Sequence, residues 1–474
     1  MHFEQFYLGC LSHASYMIAS EGVAAVVDPQ RDVALYIEEA AKNGFVIRHI
    51  IETHLHADFV SGHRELAALT GATIHIGARA GASFPHQPVK EGDEIRFGKC
   101  VLRFLETPGH TPEAVSVLVT DMEGGPEPFA VLTGDTLFVG DVGRPDLSPD
   151  FTPQQLAGML YDSLHQKLLG LPDDVQVFPA HGAGSLCGRN MSTERSSTIG
   201  KERKLNYALQ ARTRDEFVRL LTEDLPERPG YFTKDVEINR AGAGPLAELP
   251  PLPALTPAEV KAKQGAGALV LDTRPATQFA EGHIPGSLQI GLVGQFASWA
   301  GTLLGLDQDI ILIAEDQDRV AESRMRLTRV GIERVIGSVA EGISGWTRAG
   351  MPVDWFAQTT PQELQRKLLE NPGSLQVVDV RRDSEWEAGH IGGAAFMTLS
   401  QLSWRVNELD RDQPVAVYCK GGYRSIIAAG MLQRAGFRQI VDVTGGFDAW
   451  HAAGLPVVTL ESDERPPVEA SVRP

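Results

Sequence analysis

Three potential metal ligands follow one predicted strand. Val46 to Ile51 form an apolar run typical of a buried strand, and the next loop reads Thr53-His54-Leu55-His56-Ala57-Asp58-Phe59. Later turn-rich segments add three residues of the same kinds: His110, Asp135 and His181. Imidazole nitrogens and carboxylate oxygens are common ligands of transition metals. The pattern therefore predicts a metal centre at the ends of strands.

These motifs together resemble the metallo-β-lactamase superfamily. The matching segments are His54 to Asp58, Thr107-Pro108-Gly109-His110-Thr111, Gly134-Asp135 and Pro179-Ala180-His181-Gly182. Superfamily members with two zinc ions carry HxHxDH, whereas this sequence has Phe59 at the last position. A phenyl ring has no lone pair for a metal, so we expect a single-metal site. Two histidines and one carboxylate with open positions suit Fe(II) and oxygen chemistry, whereas zinc more often has a closed tetrahedron or one activated water.

Three longer segments resemble the persulfide dioxygenases: 54–63, 140–146 and 181–188. The resemblance implies one Fe(II) per chain, held by His54, His110 and Asp135. It also implies that three remnants of the two-metal pattern form hydrogen bonds around these ligands: His56, Asp58 and His181. A role for His56 as a fourth ligand stays open.

Two further residues near these motifs have both a functional and a structural interpretation. Cys187 either lines the pocket and handles sulfur or is a small buried apolar residue. Arg144 either pairs with a substrate carboxylate or forms a salt bridge with Asp141 or Asp146 in its own loop. Cys10 and Cys100 are expected to be structural.

A second chemical motif surrounds Cys419. The predicted buried strand Val415 to Tyr418 leads into Cys419-Lys420-Gly421-Gly422-Tyr423-Arg424-Ser425, and an apolar helix is predicted from Ile426. Backbone N–H groups at a helix N-terminus, a glycine-rich loop and the charges of Lys420 and Arg424 all favour a thiolate. Gly421, Gly422, Tyr423 and Ser425 are therefore candidates for binding the substrate. The alternative, a buried structural cysteine, does not account for this loop.

The Cys419 loop, together with three other segments, resembles the rhodanese family. The segments are Asp379-Val380-Arg381, Gly389-His390-Ile391 and Gly445 to Trp450, and the resemblance covers 360–457. It implies that Cys419 carries a sulfane sulfur as a persulfide. The loop length matches sulfurtransferases; a phosphatase or an arsenate reductase is a minor alternative.

An internal repeat precedes this region. Leu271-Asp272-Thr273-Arg274 and a following Gly282-His283-Ile284 recur as Val378 to Arg381 and Gly389 to Ile391. The alignment places Ala314 opposite Cys419, and the three carboxylates that follow would repel an anion: Glu315, Asp316 and Asp318. We expect the first copy to be catalytically silent, with a scaffold or docking role.

The length of 474 residues fits about three domains. We predict an α/β protein: a metallo-β-lactamase αββα sandwich followed by two rhodanese-like α/β domains. The predicted ranges are 1–248 for the metal domain, 258–356 for the silent copy, 360–460 for the active copy and 461–474 for a flexible tail. A Gly-, Ala- and Pro-rich stretch at 241–257 is predicted to be a linker.

Composition excludes some partners. A net charge of −18 argues against nucleic acid, and no apolar run approaches the length of a membrane span. Met1 to Gln5 lack the plan of a signal peptide, and the four scattered cysteines form no CxxC, so a cytoplasmic location is expected. A homo-oligomer is left open.

The predicted function joins the two sites. Iron oxidises a thiol persulfide, such as glutathione persulfide, with O2 to sulfite and the free thiol. Cys419 exchanges sulfane sulfur with thiosulfate, sulfite or a thiol, in a direction that the sequence does not fix. Sulfide detoxification is the implied setting. The main alternative is a zinc thioester hydrolase of the glyoxalase II type with a rhodanese tail, and a further one is a sulfur-carrier or redox-sensing scaffold.

Overall fold

Two six-stranded sheets form the first part of the fold in a computed structural model, which describes residues 1–223, 225 and 227–459. In the first sheet the strands lie in chain order, antiparallel from β1 to β3 and parallel from β3 to β6. Its strands are β1 His2–Leu8, β2 His13–Ser20, β3 Val23–Val27, β4 Val46–Glu52, β5 Thr73–Gly77 and β6 Gln87–Val89.

The second sheet has the order β12-β11-β10-β9-β8-β7. Its strands are β7 Glu94–Phe97, β8 Cys100–Glu106, β9 Val115–Asp121, β10 Ala130–Gly134, β11 Gln176–Pro179 and β12 Ser197–Thr198. The helices of this part of the chain are α1 Ala34–Lys42, α2 His63–Thr70, α3 Pro153–Gln166, α4 Ile199–Leu205, α5 Arg214–Thr222 and α6 Tyr231–Ala241.

Alternation along the strands explains the layers. Tyr16 and Ile18 of β2 lie in one apolar cluster with residues of β8 and β9, so the two sheets pack face to face. Met17 and Ala19 point to the other face, where they cluster with residues of α1 and α2. Residues of α3 and α5 cover the outer face of the second sheet. The four layers confirm the predicted αββα sandwich.

Two five-stranded parallel sheets follow, with equivalent strand orders β13-β17-β16-β14-β15 and β18-β22-β21-β19-β20. The first copy comprises β13 Ala254–Leu255, α7 Pro257–Gly265, β14 Leu269–Asp272, α8 Ala276–Glu281, β15 Leu288–Gln289, α9 Phe296–Leu303, β16 Ile310–Ile313, α10 Gln317–Thr328, β17 Val335–Val339 and α11 Gly342–Arg348. The second comprises β18 Ala357–Thr359, α12 Pro361–Glu370, β19 Gln376–Asp379, α13 Asp383–Glu387, β20 Ala395–Phe396, α14 Leu402–Arg405, β21 Val415–Tyr418, α15 Tyr423–Arg434, β22 Ile440–Val443 and α16 Gly446–Ala452.

Two details differ from the sequence-based expectation. The stretch predicted as a linker contains β13, which pairs with β17. The helix expected from Ile426 begins at Tyr423, because its first turn is polar and carries no apolar signal. The predicted tail, 461–474, lies outside the described residues. No helix in the described part of the chain is long and apolar enough to cross a membrane.

By its contacts the chain divides into two compact units. One contains residues 1–251 together with 297–306 and 325–333, and the other contains the remaining described residues. The candidate metal ligands belong to the first unit. Cys419 belongs to the second.

Candidate active site

Strand ends bring the predicted metal ligands together. His54 follows β4, Asp135 follows β10, and His110 lies in the loop between β8 and β9. One ligand atom from each lies within 4.8 Å of the others, and all three residues are buried. His110 Nε2 is 3.3 Å and His54 Nε2 is 3.8 Å from Asp135 Oδ2.

Hydrogen bonds fix which nitrogen each histidine offers. Thr53 Oγ1 donates to Asp28 Oδ2 at 2.8 Å, so it accepts from His54 Nδ1 at 3.0 Å. His110 Nδ1 donates to the carbonyl oxygen of Arg144 at 2.9 Å. Both Nε2 atoms are buried and have no hydrogen-bond partner among the described residues. Each Nε2 atom therefore carries the lone pair that can bind a metal.

Burial sets the charges of this cluster. Desolvation lowers the pKa of His54 and of His110, so both imidazoles are neutral at pH 7. Burial opposes the charge of Asp135, but nearby imidazoles, led by His181, hold its pKa well below the usual value. Two neutral nitrogens and one carboxylate oxygen match the donor set expected of a non-haem Fe(II) site, so these residues fit the implied metal.

Two glycines let the backbone approach these ligands closely. A Cβ at Gly143 would lie 2.0 Å from the Asp135 carbonyl oxygen and 2.7 Å from His110 Nδ1. Gly134 has φ +52, and a Cβ there would lie 2.6 Å from Thr53 Oγ1. Any side chain at these positions would displace the ligands or the groups that orient them.

Asp58, His181 and Cys187 form a second buried group with ligand atoms within 4.8 Å. His181 bridges two carboxylates, with Nδ1 2.9 Å from Asp135 Oδ1 and Nε2 2.9 Å from Asp58 Oδ2. Burial opposes a charge on His181, but Asp135 and Asp58 raise its pKa well above the usual value. Both nitrogens are thus engaged, as expected of a residue that orients Asp135.

Cys187 is 1% exposed, and burial raises the pKa of its thiol well above the usual value. It is a neutral thiol beside Asp58, so the structural and the pocket-lining interpretations are both compatible with its position.

His56 belongs to a third buried group, with Asp28 and Glu52. His56 Nε2 lies 3.2 Å from Asp28 Oδ1 and 3.7 Å from Glu52 Oε2. Burial opposes protonation of His56, yet these carboxylates raise its pKa. His56 Nε2 therefore faces Asp28 and Glu52, and this favours a supporting role over a fourth ligand.

Arg144 has a partner in its own loop. Its Nε and Nη2 atoms donate to Asp146 Oδ1 and Oδ2 at 2.7 and 2.9 Å, and Nη1 donates to the Leu186 carbonyl at 3.3 Å. Asp141 instead accepts backbone N–H groups of Arg189 and Asn190, both at 2.6 Å. The structure thus shows the salt bridge within the loop, with Asp146 as the partner of Arg144. A role of Arg144 in substrate binding stays a prediction.

The second candidate site is the loop from Cys419 to Gly422, between β21 and α15. Gly422 has φ +102 and donates its N–H to Cys419 Sγ at 3.1 Å. Ser425 Oγ lies 3.7 Å from Cys419 Sγ and donates to Asp442 Oδ1 at 2.7 Å. The sulfur, 1% exposed, thus lies at a helix N-terminus among polar hydrogens.

The cations near this loop differ in their pairing. Arg424 donates Nη1 and Nη2 to the two Glu385 oxygens at 2.7 and 2.8 Å. Burial opposes the charge of Glu385, but Arg424 and the N–H of Arg382 lower its pKa to about 2. Lys420 is exposed. Sequence reasoning missed Glu385, although its position in the first turn of a helix near Asp379-Val380-Arg381 could have indicated a partner for arginine.

Models of known protein families match the parts of the chain that contain the two candidate sites. The Metallo-beta-lactamase superfamily model matches residues 8–181, and the Rhodanese-like domain model matches 256–349 and 360–453. The persulfide dioxygenase ETHE1, mitochondrial, of Homo sapiens is 30% identical over 199 residues, which cover 42% of this chain and 70% of that protein. A metallo-beta-lactamase structure from Staphylococcus aureus subsp. aureus COL is 34% identical, with a TM-score of 0.65 over 72% of this chain and 98% of that one.

The chain belongs to the metallo-β-lactamase superfamily. Two rhodanese-like domains follow its metal domain. A hydroxyacylglutathione hydrolase of Rhodospirillum rubrum is also similar, 35% identical over 163 residues that cover 34% of this chain and 57% of that protein.

Phe59 distinguishes this chain from the two-metal pattern of the superfamily. Its side chain is fully buried, and its ring centroid lies 4.4 Å from that of His56 and 6.3 Å from that of His181. A ring without a lone pair thus stands where a further ligand would be needed. The Phe59 ring also lies against His13, at 4.1 Å between centroids.

The first rhodanese-like domain differs from the second in more than its missing cysteine. Three residues, Ala314 to Asp316, connect β16 with α10, whereas four residues, Cys419 to Gly422, connect β21 with α15. Asp316 Oδ1 accepts the Arg319 N–H at 2.8 Å. A carboxylate therefore caps the helix end where the other domain holds a sulfur.

Proposed function

We propose that this chain is an iron-dependent persulfide dioxygenase coupled to a rhodanese sulfurtransferase. The observation that carries the proposal is a buried group of two histidines and one carboxylate, together with the buried Phe59 ring next to His56 and His181. This arrangement supports one metal with open positions rather than two metals that share a water. The similarity to a protein named persulfide dioxygenase supports the same choice.

The proposed reaction converts RSSH, O2 and H2O to RSH and sulfite with release of two protons. Bound iron would supply a centre at which a persulfide sulfur and O2 come together. The chain's own residues orient this centre: Thr53 and the Arg144 carbonyl hold the His54 and His110 rings, and His181 holds Asp135. Burial of all three ligands excludes bulk water from competing.

The rhodanese part would exchange sulfane sulfur through Cys419. Gly422 N–H and the N-terminus of α15 stabilise negative charge on the sulfur. We propose glutathione persulfide as the oxidised substrate, and thiosulfate, sulfite or a thiol as partners of the Cys419 persulfide. Transfer to a thiol would supply the iron site, and transfer to sulfite would yield thiosulfate.

Oxygen uptake with glutathione persulfide, measured together with metal content, tests the proposal. We expect about one iron per chain and O2 uptake that His110→Ala abolishes and Cys419→Ser retains. Thiocyanate formation from thiosulfate and cyanide should show the reverse pattern. Purified protein with zinc and no O2 uptake would contradict the dioxygenase activity, and loss of both activities in Cys419→Ser would favour a sulfur-carrier scaffold.

The second candidate is a zinc thioester hydrolase with a rhodanese tail. The similarity to a hydroxyacylglutathione hydrolase favours it. It predicts hydrolysis of a hydroxyacylglutathione thioester by the zinc-loaded chain, without consumption of O2. Iron-loaded and zinc-loaded preparations assayed side by side with both substrates decide between the two candidates.

A further inference from the structure

His13, the first residue of β2, has its ring next to Phe59, His56 and His181 and has no side-chain hydrogen-bond partner among the described residues. Its side chain is fully buried, and neither ring nitrogen is hydrogen-bonded to any described residue. Its ring centroid lies 4.1 Å from that of Phe59, 5.5 Å from that of His181 and 5.8 Å from that of His56. The imidazole therefore borders two histidines that contact the ligand group, since His181 Nδ1 lies 2.9 Å from Asp135 Oδ1 and the His56 ring centroid 4.2 Å from that of His54.

The state of this ring follows from its surroundings. Burial, then His181 and His56, lower the pKa of His13 well below the usual value, so the imidazole is neutral and keeps one N–H donor and one lone pair. His181 cannot serve as its partner, because both nitrogens of His181 face carboxylates. A buried polar group without a partner destabilises the fold, and its retention calls for an explanation.

The chemistry of the residues around His13 indicates what this N–H meets. Buried carboxylates contact the neighbours of His13 and repel anions: Asp28 beside His56, and Asp58 and Asp135 beside His181. An anion that enters needs a donor besides the metal, and His13 is a donor with none of these carboxylates as its partner. The adjacent Phe59 ring suits a polarisable sulfur atom, which packs well against aromatic rings. His13 lies in none of the three groups of potential metal ligands among the described residues.

We propose that His13 and Phe59 form a subsite for a sulfur anion, in which the His13 N–H donates a hydrogen bond to the anionic end of the persulfide and to the sulfite product. This assignment rests on the proposed function. His13 would act by binding and orienting the sulfur that is oxidised, and Phe59 would contact the sulfur while leaving space for one metal.

Binding of sulfite to the metal-loaded protein, measured by calorimetry, tests the subsite. His13→Leu keeps the side-chain volume but removes the donor, so we expect sulfite affinity to fall about tenfold. His13→Gln keeps an N–H donor and should stay within about threefold of the wild type. The control His75→Leu removes another buried histidine, one that lies 3.2 Å from His49, and should leave sulfite affinity unchanged.

Stability separates binding from a structural role. Because the His13 nitrogens have no partner, His13→Leu should leave the melting temperature unchanged or raise it, with unchanged metal content. If His13→Leu fails to load metal, nitrogen NMR of zinc-substituted wild type gives the answer: the histidine signal that His13→Gln removes should shift when sulfite is added.

Three results would overturn the subsite: wild-type protein that binds no sulfite, His13→Leu with wild-type affinity, or a His13 signal that sulfite does not move. Failure of the proposed function is recognised separately. If the wild type consumes no O2 with glutathione persulfide but its sulfite affinity depends on His13, the dioxygenase proposal fails and the anion subsite stands.

Discussion

The proposed function makes a single aromatic residue, Phe59, the difference between two chemistries at the candidate metal site. His54, His110 and Asp135 would serve either a one-metal or a two-metal site, and Asp58 and His181 are also in place. Phe59 removes a lone pair and adds apolar bulk beside His181 and His56. Under the proposed function, we therefore expect the choice between one and two metals to depend on a position that binds no metal itself.

Restoring an imidazole at this position tests that dependence. Phe59→His completes HxHxDH, so we expect metal content to rise from about one to about two ions per chain when zinc is supplied. O2 uptake with the persulfide should fall, because the second ion would occupy space next to the oxidised sulfur. Elemental analysis provides the measurement. Phe59→Leu, which stays apolar, should keep about one ion, and one ion in Phe59→His would contradict the argument.

At the scale of elements, two helices of the rhodanese-like domain that carries Cys419 are joined by an ion pair. Glu385 of α13 holds both terminal nitrogens of Arg424, the second residue of α15. Glu385 would therefore hold the Arg424 guanidinium in a fixed position near the Cys419 loop. A third helix also contacts the loop: the Phe447 N–H of α16 donates to the Cys419 carbonyl at 2.8 Å.

Glu385→Gln should weaken the attachment of α15 in a pH-dependent way. The pKa of Glu385 is lowered to about 2, so its stabilising contribution is complete above its unfolded pKa and is lost as pH falls through the folded pKa. We expect a loss of about 2 kcal/mol at pH 7, shrinking below about pH 5 and gone near pH 2. Native-state hydrogen exchange of α15 across this range measures it, with the exposed Glu387→Gln as control. A pH-independent loss would argue against the ion pair as the cause.

Tyr423 joins the same helix to the first rhodanese-like domain. Its hydroxyl donates to the Gly291 carbonyl at 2.8 Å. Tyr423→Phe should therefore lower the stability of α15 by about 1 kcal/mol and leave the KM for thiosulfate near its original value. Hydrogen exchange and sulfurtransfer kinetics check both parts. A rise in KM without loss of stability would instead favour the substrate-binding role predicted for Tyr423 from its place in the loop.

At the scale of the whole molecule, the sequence predicted the layers and the ligand group because both follow from local patterns. Strand ends carry His54 and Asp135, and alternation defines the sheet faces. His13 was missed because a histidine in a buried strand belongs to no motif, and the rings next to it come from distant segments. The grouping of residues 297–306 and 325–333 with residues 1–251 depends on such long-range contacts as well. Local sequence carries no signal for them.

The two rhodanese-like domains differ in loop length and charge as well as in the cysteine. A cysteine placed in the first domain tests whether these other differences matter. Ala314→Cys in a Cys419→Ser background would place a thiol at the equivalent strand end. It should not restore thiocyanate formation, because the loop is one residue shorter and Asp316 already takes the Arg319 N–H. Glu315 and Asp316 are also exposed carboxylates that repel thiosulfate. Activity above that of Cys419→Ser would mean that the cysteine alone separates the copies. Activity equal to it would mean that the loop, its glycines and its charges are required together with the sulfur.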